Sequence, residues 1–403
     1  MVIGIIGAGA SGMAAAIEAA SCEDTQVFLF ERQARVGRKL QATGNGRCNL
    51  TNLHANENGY HGQNPDFTKS ALSRYCVSDT LAWFENLGLY TVAEASGRVY
   101  PYSDQANSVV DVLRFALERD NIKLISGFEV SRARKTENGF QVDGNGESYF
   151  CDRLIIACGG LAGSKLGGSM SGYQLLRSFG HRVTKLRPAL VQLKSDWKGC
   201  ASLKGVRTNC HAAIYCNGVL RSQSAGELQF TEFGLSGPVM FEISRDACQE
   251  KGAWVCRLDF LPDMSTEELR ERLEIRRRSH LSTDELFTGI LHNRLGRVLT
   301  QSAGIRSDLK ISQLRPDELQ RAVDIAKGME ISLTEPLGMD HAQVTAGGIL
   351  TEEFDSATME SSKVSGLYAC GEVLDVDGDC GGYNLQWAWS SGRLAGASAG
   401  GKK

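Results

Sequence analysis

Six residues near the start of the chain, Gly7-Ala8-Gly9-Ala10-Ser11-Gly12, follow an apolar run, Val2-Ile3-Gly4-Ile5-Ile6, and precede an alanine-rich stretch, Met13 to Ala20. A second apolar run, Val27-Phe28-Leu29-Phe30, ends in Glu31. The order is strand, glycine turn, helix, strand, acid, the context in which G-x-G-x-x-G binds a dinucleotide. Gly7 makes the tight turn, Gly9 lets backbone approach a pyrophosphate, and Gly12 lets the helix pack on the sheet. The helix start offers free N–H groups and a positive dipole end to that pyrophosphate. A carboxylate at Glu31 takes ribose hydroxyls and repels a 2′-phosphate, which favours FAD or NAD over NADP.

A second block runs from Val36 to Asn52 and includes Gly37-Arg38-Lys39-Leu40 and Thr43-Gly44-Asn45-Gly46-Arg47-Cys48-Asn49. Its 17 positions hold three glycines, three cations, three asparagines and two threonines. That density suits backbone N–H groups and cations converging on a phosphate or a flavin ring. Leu154-Ile155-Ile156-Ala157 reads as a buried strand ending in Cys158-Gly159-Gly160, at the sheet edge where α/β proteins hold ligands. Near the C-terminus a strand runs into Gly371-Glu372, followed by Cys380-Gly381-Gly382-Tyr383-Asn384-Leu385 before a last helix. That helix start would stabilise negative charge on a reduced flavin. Trp387 and Trp389 read as packing residues. Cys48, Cys380 and Tyr383 are the candidate proton donors, and Arg47 would lower the Cys48 thiol pKa if the two side chains converge.

The elements that must position these residues follow from periodicity. Residues 68–90 and 108–119 read as helices, and 123–125 and 140–142 as strands. From 189 to 260 short strand-like runs (189–193, 211–215, 227–230 and 254–258) suggest a small β-barrel or sandwich. Ser265-Thr266-Glu267-Glu268 is a capping box that opens a helix to about 278, and a further helix is expected over 283–295. The α/β pattern resumes at Val344-Thr345-Ala346-Gly347-Gly348-Ile349. The expected organisation is a discontinuous nucleotide-binding domain, 1–186 and 338–403, interrupted by an insert over 187–337.

The totals bound the function. The chain has 403 residues, 42% hydrophobic and 23% charged, with net charge −3, so no global field draws it to nucleic acid or membrane. The insert holds 21 Lys and Arg against 20 Asp and Glu over 187–337. Arg276-Arg277-Arg278 is its densest basic run, read as a solvated helix end with RNA contact as the alternative. No apolar stretch is long enough to span a membrane, and the N-terminal run lacks a basic flank and reads as a strand rather than a signal peptide. Twelve scattered cysteines without a C-x-x-C pair, and seven histidines without ligand spacing, point to no metal site and to a reduced, cytoplasmic setting.

Taken together, Gly7–Gly12, Gly37–Leu40, Thr43–Asn49, Val344–Ile349, Gly371–Val376 and Gly381–Trp387 resemble the BaiN/RdsA-type (YhiN-like) family of NAD(P)/FAD-dependent oxidoreductases, over essentially the whole chain. The resemblance implies an α/β fold, a Rossmann-like FAD domain interrupted by a β-barrel (about 187–262 and 311–337) with a small helical part (about 263–310). It also implies that FAD fills the fingerprint site. The candidate FAD-binding set is then Gly7, Gly9, Ala10, Ser11, Gly12, Glu31, Arg32, Arg38, Lys39, Thr43 to Asn49, Val130, Cys158 to Gly160, Gly348, Gly371, Glu372 and Gly381 to Leu385. Leu161-Ala-Gly-Ser-Lys165 departs from the Ser-Tyr-Pro-like stretch of many relatives, which leaves subgroup and substrate open.

The expected reaction is reduction of an activated C=C bond by hydride from flavin N5, with NAD(P)H as a transient donor because no second fingerprint is present. Family breadth puts uridine of 23S rRNA first, a reading that would call on Arg276–Arg278, Arg294 and Arg297. A small steroid- or bile-acid-like enone in an apolar pocket is the alternative. An oxygen-using amine oxidase follows, and a non-catalytic flavin redox sensor comes last.

Overall fold

A computed structural model describes residues 1–402. The chain divides into two compact units, one formed by Met1–Arg187 with Gln343–Lys403 and the other by Pro188–Ala342.

The first unit is built on five parallel strands: β1 (Val2–Ile6), β2 (Gln26–Glu31), β3 (Ile122–Ser126), β4 (Arg153–Ile156) and β5 (Leu367–Ala369), in the order β5-β4-β1-β2-β3. Ile3, Ile5, Leu29, Ile155 and Leu367 have no exposed surface, as expected of a parallel sheet covered on both faces. The first helix (Ala10–Ala19) lies along the terminal helix (Tyr383–Gly400). Their backbones approach closely because a Cβ at Gly392 or Gly396 would run into the carbonyls of Ser11 and Ala15. Arg153 donates to the carbonyls of Ser398 (3.0 Å) and Ala399 (2.8 Å), placing a cation at the negative end of the terminal helix. A three-stranded antiparallel sheet (Val130–Thr136, Gly139–Gly144, Glu147–Cys151) carries Tyr149 into an aromatic cluster with Phe28, Phe30 and Phe128.

The second unit is an antiparallel sheet whose two ends meet. Its six strands run in the order Leu193–Lys194, Gly234–Ser236, Val219–Phe230, Arg207–Cys216, Trp254–Asp259, Met329–Leu333. The chain just past the last strand closes the ring: Lys194 N–H donates to Glu335 O, and Thr334 N–H to Lys194 O, each at 2.9 Å. Helices at Pro238–Gln249, Thr266–Arg276, Asn293–Ser302 and Pro316–Gly328 pack with it around one apolar core. The fold class is the one expected: a Rossmann-type α/β domain with a barrel and a helical part inserted. No helix among the described residues is long and apolar enough to cross a membrane.

Several elements differ from the sequence expectation. The helix over 68–90 is two, Thr68–Arg74 and Val77–Asn86, because Cys76 turns extended and its N–H donates to Asp79 Oδ2 at 3.0 Å. Residues 189–193 do not form one strand but lie between two, Arg187–Ala189 and Leu193–Lys194. The helix over 283–295 is replaced by a short turn at Thr283–Glu285 and a helix at Asn293–Ser302. Gly289 breaks the run, and His292 Nδ1 caps the new start by accepting from Arg294 N–H at 3.2 Å. The stretch 311–337, expected in the barrel, is mostly the helix Pro316–Gly328, and only Met329–Leu333 joins the six-stranded sheet. Pro316 in the first turn, and Glu318 accepting from Arg315 N–H at 2.9 Å, are the start signals that were overlooked.

Candidate cofactor and active site

The fingerprint turn is shaped by two contacts. Gly7 has φ +105° and abuts the Ala157 carbonyl, and a Cβ at Gly12 would collide with the Gly7 carbonyl. At Gly9, by contrast, a Cβ would meet nothing within 4 Å. This open side leads to the first turn of the helix at Ala10 and Ser11, whose N–H groups have no intrahelical acceptor. Glu31 is fixed by backbone: Oε2 accepts from Ala8 N–H at 2.9 Å and Oε1 from Gln33 N–H at 2.8 Å. Around it, Arg38 donates to Gln33 Oε1 (2.7 Å) and Arg32 to Gly167 O (2.6 Å). Val130 is half-buried at the start of the antiparallel sheet.

A second cluster joins the strand ends. The Lys39 ammonium pairs with Glu372 Oε2 at 2.8 Å, while Glu372 Oε1 accepts from Thr345 N–H at 2.8 Å. The Thr345 hydroxyl accepts from the N–H groups of Leu161 and Ala162, each at 2.9 Å. Gly160 faces Glu372 and Thr345, Gly159 is open, and Gly371 lies against Ser11 Oγ. The Cys158 thiol is held neutral, pushed up to about 12 by burial. Gly348 packs on the Leu374 backbone and donates to Thr184 Oγ1 at 2.9 Å.

The third cluster surrounds the start of the terminal helix. Gly381 and Gly382, at φ +106° and +107°, turn the chain into it, and a Cβ at Gly382 would strike the Thr51 carbonyl. Asn52 donates to Gly381 O at 2.9 Å, so the polar block is stitched to this turn. Asn384 closes the turn by accepting from Gly378 N–H (2.9 Å) and donating to Gly378 O (2.7 Å). Tyr383 stacks edge-on against Tyr60 and donates to His54 O at 3.3 Å; Leu385 packs against the core. Gln386 joins Thr51, Tyr75, Thr80 and Ser390 in a buried network, and Trp387 and Trp389 are buried packing residues donating to Gly371 O and Leu50 O.

Arg47 and Cys48 do not converge. The Arg47 guanidinium lies 3.9 Å over the Tyr100 ring and pairs with Asp104 and with Glu94 (3.1 Å). The Cys48 thiol has no exposed surface, and burial pushes it up to about 12, so the expected thiol activation by Arg47 is absent. Thr43 donates to Leu40 O, and its own carbonyl accepts from Cys48 N–H, closing the Gly44-Asn45-Gly46 turn.

Two residues at this site carried no signal in the sequence reading as a pair. The His61 ring stands 2.6 Å from the Oδ1 of Asp379, the residue before Cys380. No cluster of His, Cys, Asp or Glu able to hold a metal occurs among the described residues.

The residues fit a flavin dinucleotide. Gly9 and Gly159 leave open backbone where the pyrophosphate would lie. Asn49 Oδ1 is buried without a hydrogen-bond partner, an acceptor that a ligand N–H or O–H would satisfy. The terminal helix presents its first N–H groups behind two glycines.

Comparison with known proteins gives three findings. The family described as HI0933-like protein Rossmann domain matches residues 1–398. A 3-dehydro-bile acid Δ(4,6)-reductase of Clostridium scindens is 40% identical over 403 residues, 98% of each chain, and a ribosomal RNA dihydrouridine synthase of Escherichia coli is 35% identical over 96% of this chain and 95% of its own. A solved 3-ketosteroid Δ1-dehydrogenase of Sterolibacterium denitrificans aligns over 100% of this chain and 99% of its own at 14% identity and TM-score 0.49.

Proposed function

The chain belongs to the HI0933-like Rossmann family and is an FAD-dependent oxidoreductase, and from that premise we propose that it reduces a C=C bond conjugated to a carbonyl in a small alicyclic enone. A Δ(4,6) reduction and a dihydrouridine synthesis both add two hydrogens across such a bond, and this shared chemistry supports the reaction class. When bound, FAD supplies the hydride, with a reduced nicotinamide as its electron source. The protein's own part is to hold and polarise. The Gly7–Gly12 turn would seat the pyrophosphate and Glu31 the ribose, and the unpartnered Asn49 Oδ1 would accept a hydrogen bond from the cofactor. The observation that carries the reading is the start of the terminal helix, turned by Gly381 and Gly382 with Cys380 and Tyr383 in the same turn, whose first N–H groups would stabilise developing negative charge.

Small enones come ahead of rRNA for two reasons. The relative of higher identity carries the bile-acid name. The arginines expected to contact RNA are also largely committed to the fold: Arg276 donates to Glu285 O and Thr288 O, Arg277 pairs with Glu274, and Arg294 donates to Ser202 O and Lys204 O.

The test is anaerobic reoxidation of the reduced, FAD-loaded protein, followed by visible absorbance, with a steroidal 4-en-3-one, with 23S rRNA lacking dihydrouridine, or with an amine and oxygen. Rapid reoxidation by the enone alone, with the saturated ketone as product, supports the reading. Reoxidation by rRNA alone, weakening steeply with salt, replaces it with the RNA reading. Turnover only with amine and oxygen overturns both.

A further inference from the structure

The pair missed by the sequence reading stands on the polar rim of the terminal-helix turn. Tyr60–His61 pairs antiparallel with Asp377–Gly378, His61 opposite Asp377. This register sets the His61 Nε2 2.6 Å from Asp379 Oδ1. The two segments lie flush, because a Cβ at Gly62 would run into the Asp375 carbonyl and one at Gly59 into the Tyr383 ring, and Asp379 N–H donates to Gly59 O at 2.9 Å. The side chains of His61 and Asp379 are 34% and 33% exposed, so a ligand can reach the imidazole. His181 offers a contrast: it too has a carboxylate partner, but its side chain is fully buried, and both its ring nitrogens are engaged, by Glu353 and Ser361.

A carboxylate on one imidazole nitrogen fixes the ring and its orientation. With Nε2 turned to Asp379, Nδ1 is the nitrogen not engaged by that carboxylate. Asp379 leads directly into Cys380-Gly381-Gly382, the turn assigned above to the flavin, so the residue that holds the imidazole lies on the same segment of chain as that turn. Of the titratable groups on the neighbouring segments, Asp375 accepts at Oδ2 from Gln63 N–H at 3.2 Å, and Tyr60, whose phenol is kept neutral by burial, packs edge-on against Tyr383.

We propose that His61 is the proton donor of the C=C reduction and Asp379 its positioning residue, an inference that rests on the reductase reading above. The substrate takes a hydride, with its two electrons, from the reduced flavin at the carbon β to the carbonyl, which leaves an enolate. The Nδ1–H bond of the His61 imidazolium then breaks as a C–H bond forms at the α carbon. The neutral imidazole regains its proton from water through its exposed side. The two electrons would come from bound reduced flavin, and a reduced nicotinamide would supply them anew for the next turnover.

The experiment uses FAD-loaded wild type, His61→Gln and Asp379→Asn with a steroidal 4-en-3-one, with flavin content measured alongside so that cofactor loss is not read as lost proton transfer. His61→Gln is expected to slow enone-dependent reoxidation about 100-fold or more. Asp379→Asn is expected to lower kcat with little change in KM, because it releases the ring without removing it. A readout independent of turnover is the ¹⁵N-histidine NMR spectrum, in which the His61 Nε2 signal should change in Asp379→Asn because its hydrogen-bond partner is altered. A wild-type rate in His61→Gln, or a His61 Nε2 signal indifferent to Asp379→Asn, overturns the proposal. Misfolding of one variant leaves the other and the spectrum to decide. If wild type reduces no conjugated C=C bond at all, the reductase reading falls and this inference with it, an outcome distinct from failure in the variants alone.

Discussion

At Gly9 an added carbon meets open space, while at Gly12 it meets the Gly7 carbonyl. The same substitution should therefore fail in two different ways. Gly9→Val is expected to fold and to purify colourless, because its side chain occupies the pyrophosphate's approach. Gly12→Val is expected to lose the fold, since small-to-large changes against backbone cost about 1–3 kcal/mol or more. Circular dichroism with flavin absorbance separates them, and a yellow, fully loaded Gly9→Val would sink the assignment of the fingerprint. Both glycines could be read from the sequence because residue type and spacing alone set their roles. His61 could not, because its partner lies 318 positions away and only strand pairing brings them together. Adjacency in sequence also misled at Arg47 and Cys48, where one side chain reaches Tyr100 and the other is sealed in the core.

Among the elements, those with long apolar runs were legible. The expected strands at 123–125, 140–142 and 154–157 fall on Ile122–Ser126, Gly139–Gly144 and Arg153–Ile156. The capping box at Ser265 opens its helix, with Ser265 Oγ accepting from Glu268 N–H at 3.0 Å. Breaks were harder, because an uncommon capping residue such as Cys76 divides what periodicity reads as one helix. The terminal helix shows what periodicity cannot reveal. It is buried on most sides, and its spacing of Gly392 and Gly396 answers the backbone of the first helix rather than an amphipathic pattern. Gly396→Val is expected to lower stability by about 3 kcal/mol or more by forcing the helices apart. It should weaken FAD binding too, since the first helix carries the pyrophosphate N–H groups. Thermal melts and fluorescence titration with FAD measure the two effects. Wild-type values for both would show that this close approach contributes nothing.

Across the whole molecule, the Rossmann unit must join two stretches of chain separated by the inserted unit, and a buried carboxylate does part of that joining. Glu353, beyond the insert, accepts from His181 Nδ1 (2.9 Å), Arg182 N–H (3.0 Å) and Arg182 Nε (2.7 Å), all before it, and pairs with Lys363 at 2.8 Å. Burial alone would push its carboxyl up, but the bonds from Lys363, Arg182 and His181 outweigh this and hold it at about 2, below the ordinary 4.5. A carboxyl depressed in the folded state contributes stability above its unfolded pKa and loses it as pH falls through the folded one. Glu353 is thus worth about 3 kcal/mol above pH 4.5, declining towards pH 2. His181 is pushed below 6.5 by burial, so its neutral ring adds a loss of the same sign as pH falls below 6.5. Glu353→Gln should cost about 3 kcal/mol at neutral pH, because a neutral amide loses the charge-assisted bonds that hold the carboxylate ionised in its buried position. It should also flatten the dependence of stability on pH below 4.5. Urea unfolding at saturating FAD across this range gives the difference between the two proteins. An identical acid slope in the variant would mean that Glu353 contributes nothing to joining the two stretches.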